Sequence, residues 1–181
     1  MKLSTLAIAS AVVCTAASLG TGSALAQDFK SSSPMDQLSE FVGDGVCTGT
    51  VMAMGKKPSH ATTGKYHGEK TLDGHWVVLR YDEDKSAAVA KPFSVVQYFG
   101  YDAARKRFVS VLVDNSGESY STGTSAAWKN DSIVFDETTN GKTNFRDAFT
   151  SSQPGMKSHT GWMKDEHGKW VKTDHEDCKP S

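Results

Sequence analysis

From Gly43 onward, short runs rich in Val, Phe, Tyr, Trp and Thr alternate with clusters of Gly, Asp, Asn and Lys. Runs of this length, bounded by turn formers, read as strands of an antiparallel β domain. The clearest strands are predicted at 75–81, 93–101, 107–114 and 132–136. Weaker ones fall at 46–54, 60–70, 119–128, 142–150, 156–164 and 170–175. The turns between them are chemically specific. Leu72-Asp73-Gly74, Asn140-Gly141 and Asp165-Glu166-His167-Gly168 supply the positive φ angles that tight hairpins need.

About ten strands joined by short links predict an all-β, up-and-down antiparallel meander. A meander that long must close on itself or leave sticky edges, so a barrel is expected. Ahead of it, residues 27–37 read as a polar, Ser-rich flexible leader, and residues 38–181 as the single barrel domain. A short helix is predicted over 35–42, capped near Ser33 or Asp36, with Leu38, Phe41 and Val42 on its apolar side.

The N-terminus changes the picture. Met1-Lys2, an apolar stretch from Leu6 to Ala17 and the small-residue site Ala24-Leu25-Ala26 are the three parts of a secretory signal. The apolar stretch is shorter than the roughly 20 residues that cross a bilayer. Cleavage after Ala26 and a periplasmic or secreted location are expected. No second apolar run follows, so no membrane insertion is expected after cleavage. Removing 26 of 181 residues leaves 155, a comfortable single domain.

The whole chain carries a formal charge of −1, with 20 basic and 21 acidic residues. That balance offers no electrostatic case for binding nucleic acid. The compact Arg105-Lys106-Arg107 cluster reads as a solvated hairpin tip. Signal cleavage would remove Cys14 and leave Cys47 and Cys178, which an oxidising compartment would allow to bridge. Barrel closure, with first and last strands as neighbours, would bring the two together.

Four stretches resemble a known bacterial family. They are Leu38-Ser39-Glu40-Phe41-Val42-Gly43, the run from Thr71 through Leu72-Asp73-Gly74-His75-Trp76 to Tyr81, the hairpin from Phe99-Gly100-Tyr101-Asp102 to Ser110, and Asp114-Asn115-Ser116-Gly117. The family is the domain of unknown function 1579, and the resemblance runs from about Leu38 to Val171. It implies a secreted, lipocalin-like, calycin-type barrel with no assigned activity. The chain departs from the pattern at Val42-Gly43-Asp44-Gly45-Val46-Cys47, where many relatives place a Trp after the glycine.

Candidate chemistry is sparse. His60, His67, His75, His159, His167 and His175 form no ligand-spaced motif, although His67 and Glu69 would share a strand face. They are expected to be scattered and exposed, with no metal and no cofactor. Fold analogy with ten-stranded haem barrels would make His159 or His175 a ligand, but the early strands lack the motif of those proteins. No nucleophile elbow or phosphate loop is present.

A small closed barrel either fills with side chains or holds one ligand. The residues expected to line such a cavity are Trp76, Arg80, Tyr98, Arg146 and His159, with the arginines suited to a carboxylate. The expected occupant is a small apolar or amphipathic molecule. The rivals are an enzyme using His or carboxylates at the barrel mouth, and a filled barrel acting through its surface. Alternation does not say which strand faces point inward, because both carry apolar residues.

Overall fold

The structure, a computed structural model, describes residues 33–55, 57–89, 91–117, 120–151 and 155–181. The proposed signal peptide and most of the 27–37 leader lie outside the described residues.

Ten antiparallel strands follow one another: β1 (Gly43–Val51), β2 (His60–Thr71), β3 (Trp76–Glu83), β4 (Ser94–Asp102), β5 (Arg107–Asp114), β6 (Tyr120–Ser125), β7 (Ser132–Thr139), β8 (Lys142–Ser151), β9 (Met156–Lys164) and β10 (Trp170–Pro180). Each pairs with its neighbours in sequence, and β10 returns to pair with β1, closing the barrel. Closure explains why β10 runs five residues past its predicted end at 175. Its last residues are held by β1, with Cys47 opposite Cys178 and Gly45 opposite Pro180. Cys47 and Cys178 are joined by a disulfide across this seam. The turn chemistry follows the sequence, with Asn140 at φ 51° and Gly141 at φ 75° between β7 and β8.

The predicted helix is shorter and split. α1 (Pro34–Gln37) starts at Ser33, whose side chain accepts from the Asp36 N–H while the Asp36 carboxylate accepts from the Ser33 N–H. A 3-10 helix, Leu38–Phe41, continues from it. Leu38 and Phe41 are fully buried. The Phe41 ring stacks on Phe99 at 4.4 Å between centroids and meets Phe149 edge-on at 5.2 Å. Ser151 Oγ donates to Glu40 Oε2, tying the same segment to the end of β8. The helix therefore plugs one end of the barrel over a core of Val77, Phe99, Phe108, Ile133, Phe135 and Phe149.

Cross-strand partners share a sheet face, so the buried residues mark the interior. Val77 on β3 opposes Phe99 on β4, and Leu79 opposes Gln97, all four of them buried. The other face holds Trp76, Val78, Arg80, Val96 and Tyr98, of which Tyr98 is 38 % exposed. The interior thus has two halves. The plugged end is apolar and largely aromatic, while the opposite half carries polar side chains.

Candidate functional site

The polar half is built by the same alternation that buries the aromatics. On β7, Ile133, Phe135 and Glu137 all face inward and are buried. Glu137 reaches over Gly123, where a Cβ would fall 2.4 Å from its Oε1. That oxygen accepts from Ser110 Oγ at 2.6 Å and from Gln97 Nε2 at 3.2 Å. Burial pushes the Glu137 carboxyl up to about 7, against the pull of the Ser110 hydrogen bond.

Next to it, β8, β9 and β10 bring four titratable groups inward. His159 opposes Phe149 on β8 and Glu176 on β10, while Gly161 opposes Asp147 and Asp174. His159 Nδ1 lies 3.0 Å from Glu176 Oε2 and 3.1 Å from Asp174 Oδ2, and Nε2 lies 3.3 Å from Asp147 Oδ1. One ring N–H cannot point at two oxygens. Glu176 receives the aligned hydrogen bond, and Asp174 Oδ2 is left out of water with none among the described residues. Burial favours the neutral ring, but the contacts with Asp147, Asp174 and Glu176 outweigh it and hold the His159 pKa well above its ordinary value. For Asp174 burial acts upward, and its contact with His159 prevails and lowers the pKa.

A second polar group continues the network toward the first strands. Thr62 Oγ1 donates to Glu83 Oε1 at 3.0 Å, and His60 Nε2 lies 3.6 Å from that same oxygen. The Tyr81 hydroxyl lies 3.3 Å from Thr62 Oγ1, and burial pushes its pKa up to about 12.

Beyond this floor the inward face turns apolar again. Phe145 opposes Glu137 on β7 and Met163 on β9, and Met163 opposes Val171 on β10. Phe145 and Val171 are nevertheless 36 % and 47 % exposed. Inward-facing side chains that reach solvent mark an open end. Two hollows of about 360 and 150 Å³ lie elsewhere, the larger lined by Asp44, Gly45, Val46, Lys65, Tyr66 and Ser181. Neither includes the His159 group.

Of the five residues expected to line a cavity, the structure brings only His159 into the interior. Trp76, Arg80, Tyr98 and Arg146 stand on the outer face. Arg80 Nε pairs with Asp82 at 2.5 Å in solvent. Arg146 Nε pairs with Asp136 at 2.7 Å, and its guanidinium lies 4.5 Å from the Trp170 ring centroid. The physical reason is that the outer face of β3 and β4 carries Val78, Val96 and Tyr98, which imitate an inner face in sequence. Asp147, Asp174, Glu176 and Glu137 were missed. Asp174 and Glu176 flank His175, which was expected to be exposed, yet they share their face with Cys178, whose disulfide partner lies across the barrel seam.

A family model described as "Protein of unknown function (DUF1579)" matches residues 30–177. The chain belongs to the DUF1579 family. No curated protein sequence matches this DUF1579 protein. Its fold is similar to the crystal structure of Rv2717c from M. tuberculosis, with a TM-score of 0.59 and 13 % identity over 82 % of this chain and 98 % of that one. At that identity the likeness concerns the barrel alone.

Proposed function

We propose that this DUF1579 protein is an exported binding protein whose open barrel end takes a small amphipathic molecule with a positively charged head. The observation that carries the reading is the layering of that end. Apolar, inward-facing Phe145, Met163 and Val171 surround a floor of Asp147, Asp174 and Glu176 gathered on His159. An apolar collar above buried carboxylates suits a guest that is apolar along its length and cationic at its tip. The expected apolar or amphipathic occupant is thereby narrowed to the amphipathic kind.

Export to the periplasm or outside the cell is part of the proposal. The signal-like N-terminus supports it, and the Cys47–Cys178 bridge is compatible with an oxidising compartment.

One observation favours an enzyme instead, namely a carboxyl at about 7 in Glu137. Yet Glu137 is only 1 % exposed, and one of its oxygens is taken up by Gln97 and Ser110. Binding is the better-supported reading.

Native mass spectrometry of the protein purified from its own host tests it. The expected result is a retained small molecule that is released on denaturation. Repeated gentle preparations at the bare polypeptide mass, with no binding of long-chain alkylammonium ions, would sink the proposal.

A further inference from the structure

We propose that His159, Asp174 and Glu176 together bind one divalent transition-metal ion, with zinc the best-fitting choice. Each residue offers one donor atom, and the three atoms lie within 4.8 Å of one another. The Nδ1–Oε2 and Nδ1–Oδ2 separations are 3.0 and 3.1 Å. A tetrahedral zinc with bonds of about 2.0–2.1 Å places its donors roughly 3.3 Å apart, so the two histidine–carboxylate separations need to open by only a few tenths of an ångström. One imidazole and two carboxylates suit zinc, with a fourth position left for water.

Three further observations point to a cation rather than to a chance cluster. First, metal-bound histidines ordinarily give their other ring N–H to a carboxylate. Here His159 Nε2 faces Asp147 Oδ1 at 3.3 Å, on the side away from the proposed ligands. Second, Asp174 Oδ2, one of the three donor atoms, is out of water without an aligned hydrogen bond among the described residues. Third, the ion pairs of Glu83, Asp147, Asp174 and Glu176 are all with histidine among the described residues. One imidazolium carries a single positive charge against the three carboxylates around it, which is a poor balance in a partly desolvated site.

The strands make room for the ion. A Cβ at Gly161 would lie 2.4 Å from Asp174 Oδ1, so glycine lets that carboxylate lie against β9. The side chains of His159 and Asp174 remain 24 % and 22 % exposed, which leaves a way in from the open end.

The site does not depend on the amphipathic guest. Zinc uptake without any retained organic molecule would support this inference alone, and the reverse result would support only the proposal above. The test is calorimetric titration of ZnCl₂ into untagged full-chain protein stripped with EDTA. One equivalent is expected to bind at micromolar concentration or tighter. His159→Gln and Asp174→Asn should each weaken binding by about tenfold or more. His67→Gln, in the exposed His67–Asp44–Glu69 group, should leave it unchanged. Circular dichroism verifies that the variants fold. If they do not, ¹⁵N NMR of the wild-type histidine rings decides, with zinc expected on Nδ1 of His159. Absence of saturable uptake, uptake that survives both substitutions in folded protein, or a response at His67 instead would overturn the assignment.

Discussion

Glu137 accepts a 2.6 Å hydrogen bond from Ser110 through one carboxylate oxygen, while its other oxygen is buried without a partner among the described residues. A carboxyl held this way is easier to keep protonated than to ionise, which is why its pKa rises from 4.5 to about 7. In the unfolded chain the same group ionises near its ordinary value. Folding is therefore favoured fully below pH 4.5, and that contribution is lost as pH climbs through about 7. The loss is on the order of 3 kcal/mol at most, from about 1.4 kcal/mol per pKa unit. Glu137→Gln should flatten this part of the profile. In urea unfolding of the disulfide-bonded protein, the variant should gain on the wild type between pH 4.5 and 8. A wild-type profile parallel to that of the variant would refute the assignment of Glu137 as a buried, neutral acid.

The bridge between β1 and β10 predicts a second, separable effect. Cys47 and Cys178 are 131 residues apart in sequence and oppose each other directly. A link closing so long a loop is worth roughly 4–5 kcal/mol in the chain-entropy account. The double variant Cys47→Ala, Cys178→Ala should lose most of that in unfolding free energy, with a steeper urea dependence because the unlinked denatured chain is less compact. Hydrogen exchange of the most protected amides, those of the central β4–β5 pair included, should speed up throughout the barrel, with further local loosening in β1 and β10. Unchanged exchange in β4–β5 would show that the bridge does not act through the unfolded chain.

Much of the barrel was legible because its connections are short and its turns chemically marked. Asn140-Gly141 and Leu72-Asp73-Gly74 sit where they were expected, with the strands on either side following. The far end of β10 was not legible, since its pairing with β1 is set by closure and not by its own polar residues. The site was hidden for a related reason. Acidic residues on a strand ordinarily mark the solvent face, which hides Asp174 and Glu176, whereas apolar residues on both faces of β3 and β4 let Tyr98 pass for a cavity residue. Parity with Cys178 would have reversed the first assignment. Glu137, in step with Ile133 and Phe135, would have been placed inside by the same reasoning.

The plug at the apolar end predicts a stability effect of its own. Phe41 is fully buried between Phe99 and Phe149, and no other ring of the 3-10 helix is there to replace it. Phe41→Ala should cost about 3–5 kcal/mol, combining lost burial with the cavity left behind. The helix should also detach locally, exposing the amides of Leu38 to Val42 to exchange. Zinc affinity should change less than stability, because Phe41 reaches His159 only through the Phe149 ring. A loss of stability below about 1 kcal/mol would mean that the helix packs far more loosely than its ring contacts indicate.

The open end makes the most direct prediction about function. If Phe145 and Val171 guide an amphipathic guest, Phe145→Ser and Val171→Ser should weaken binding of a long-chain alkylammonium ion by about tenfold each. That factor corresponds to roughly 1.4 kcal/mol, a reasonable share of the area each side chain covers. Both residues are already partly in solvent, so the melting temperature should move little. Arg80→Ala and Tyr98→Ala, on the outer face, should change neither quantity. Zinc and the alkylammonium ion should also compete, since both are cations drawn to Asp174 and Glu176. Fluorescence displacement with a dansylated alkylamine measures all of these. Binding that depends on Arg80 or Tyr98 but ignores Phe145 and Val171 would move the site to the outside of the barrel.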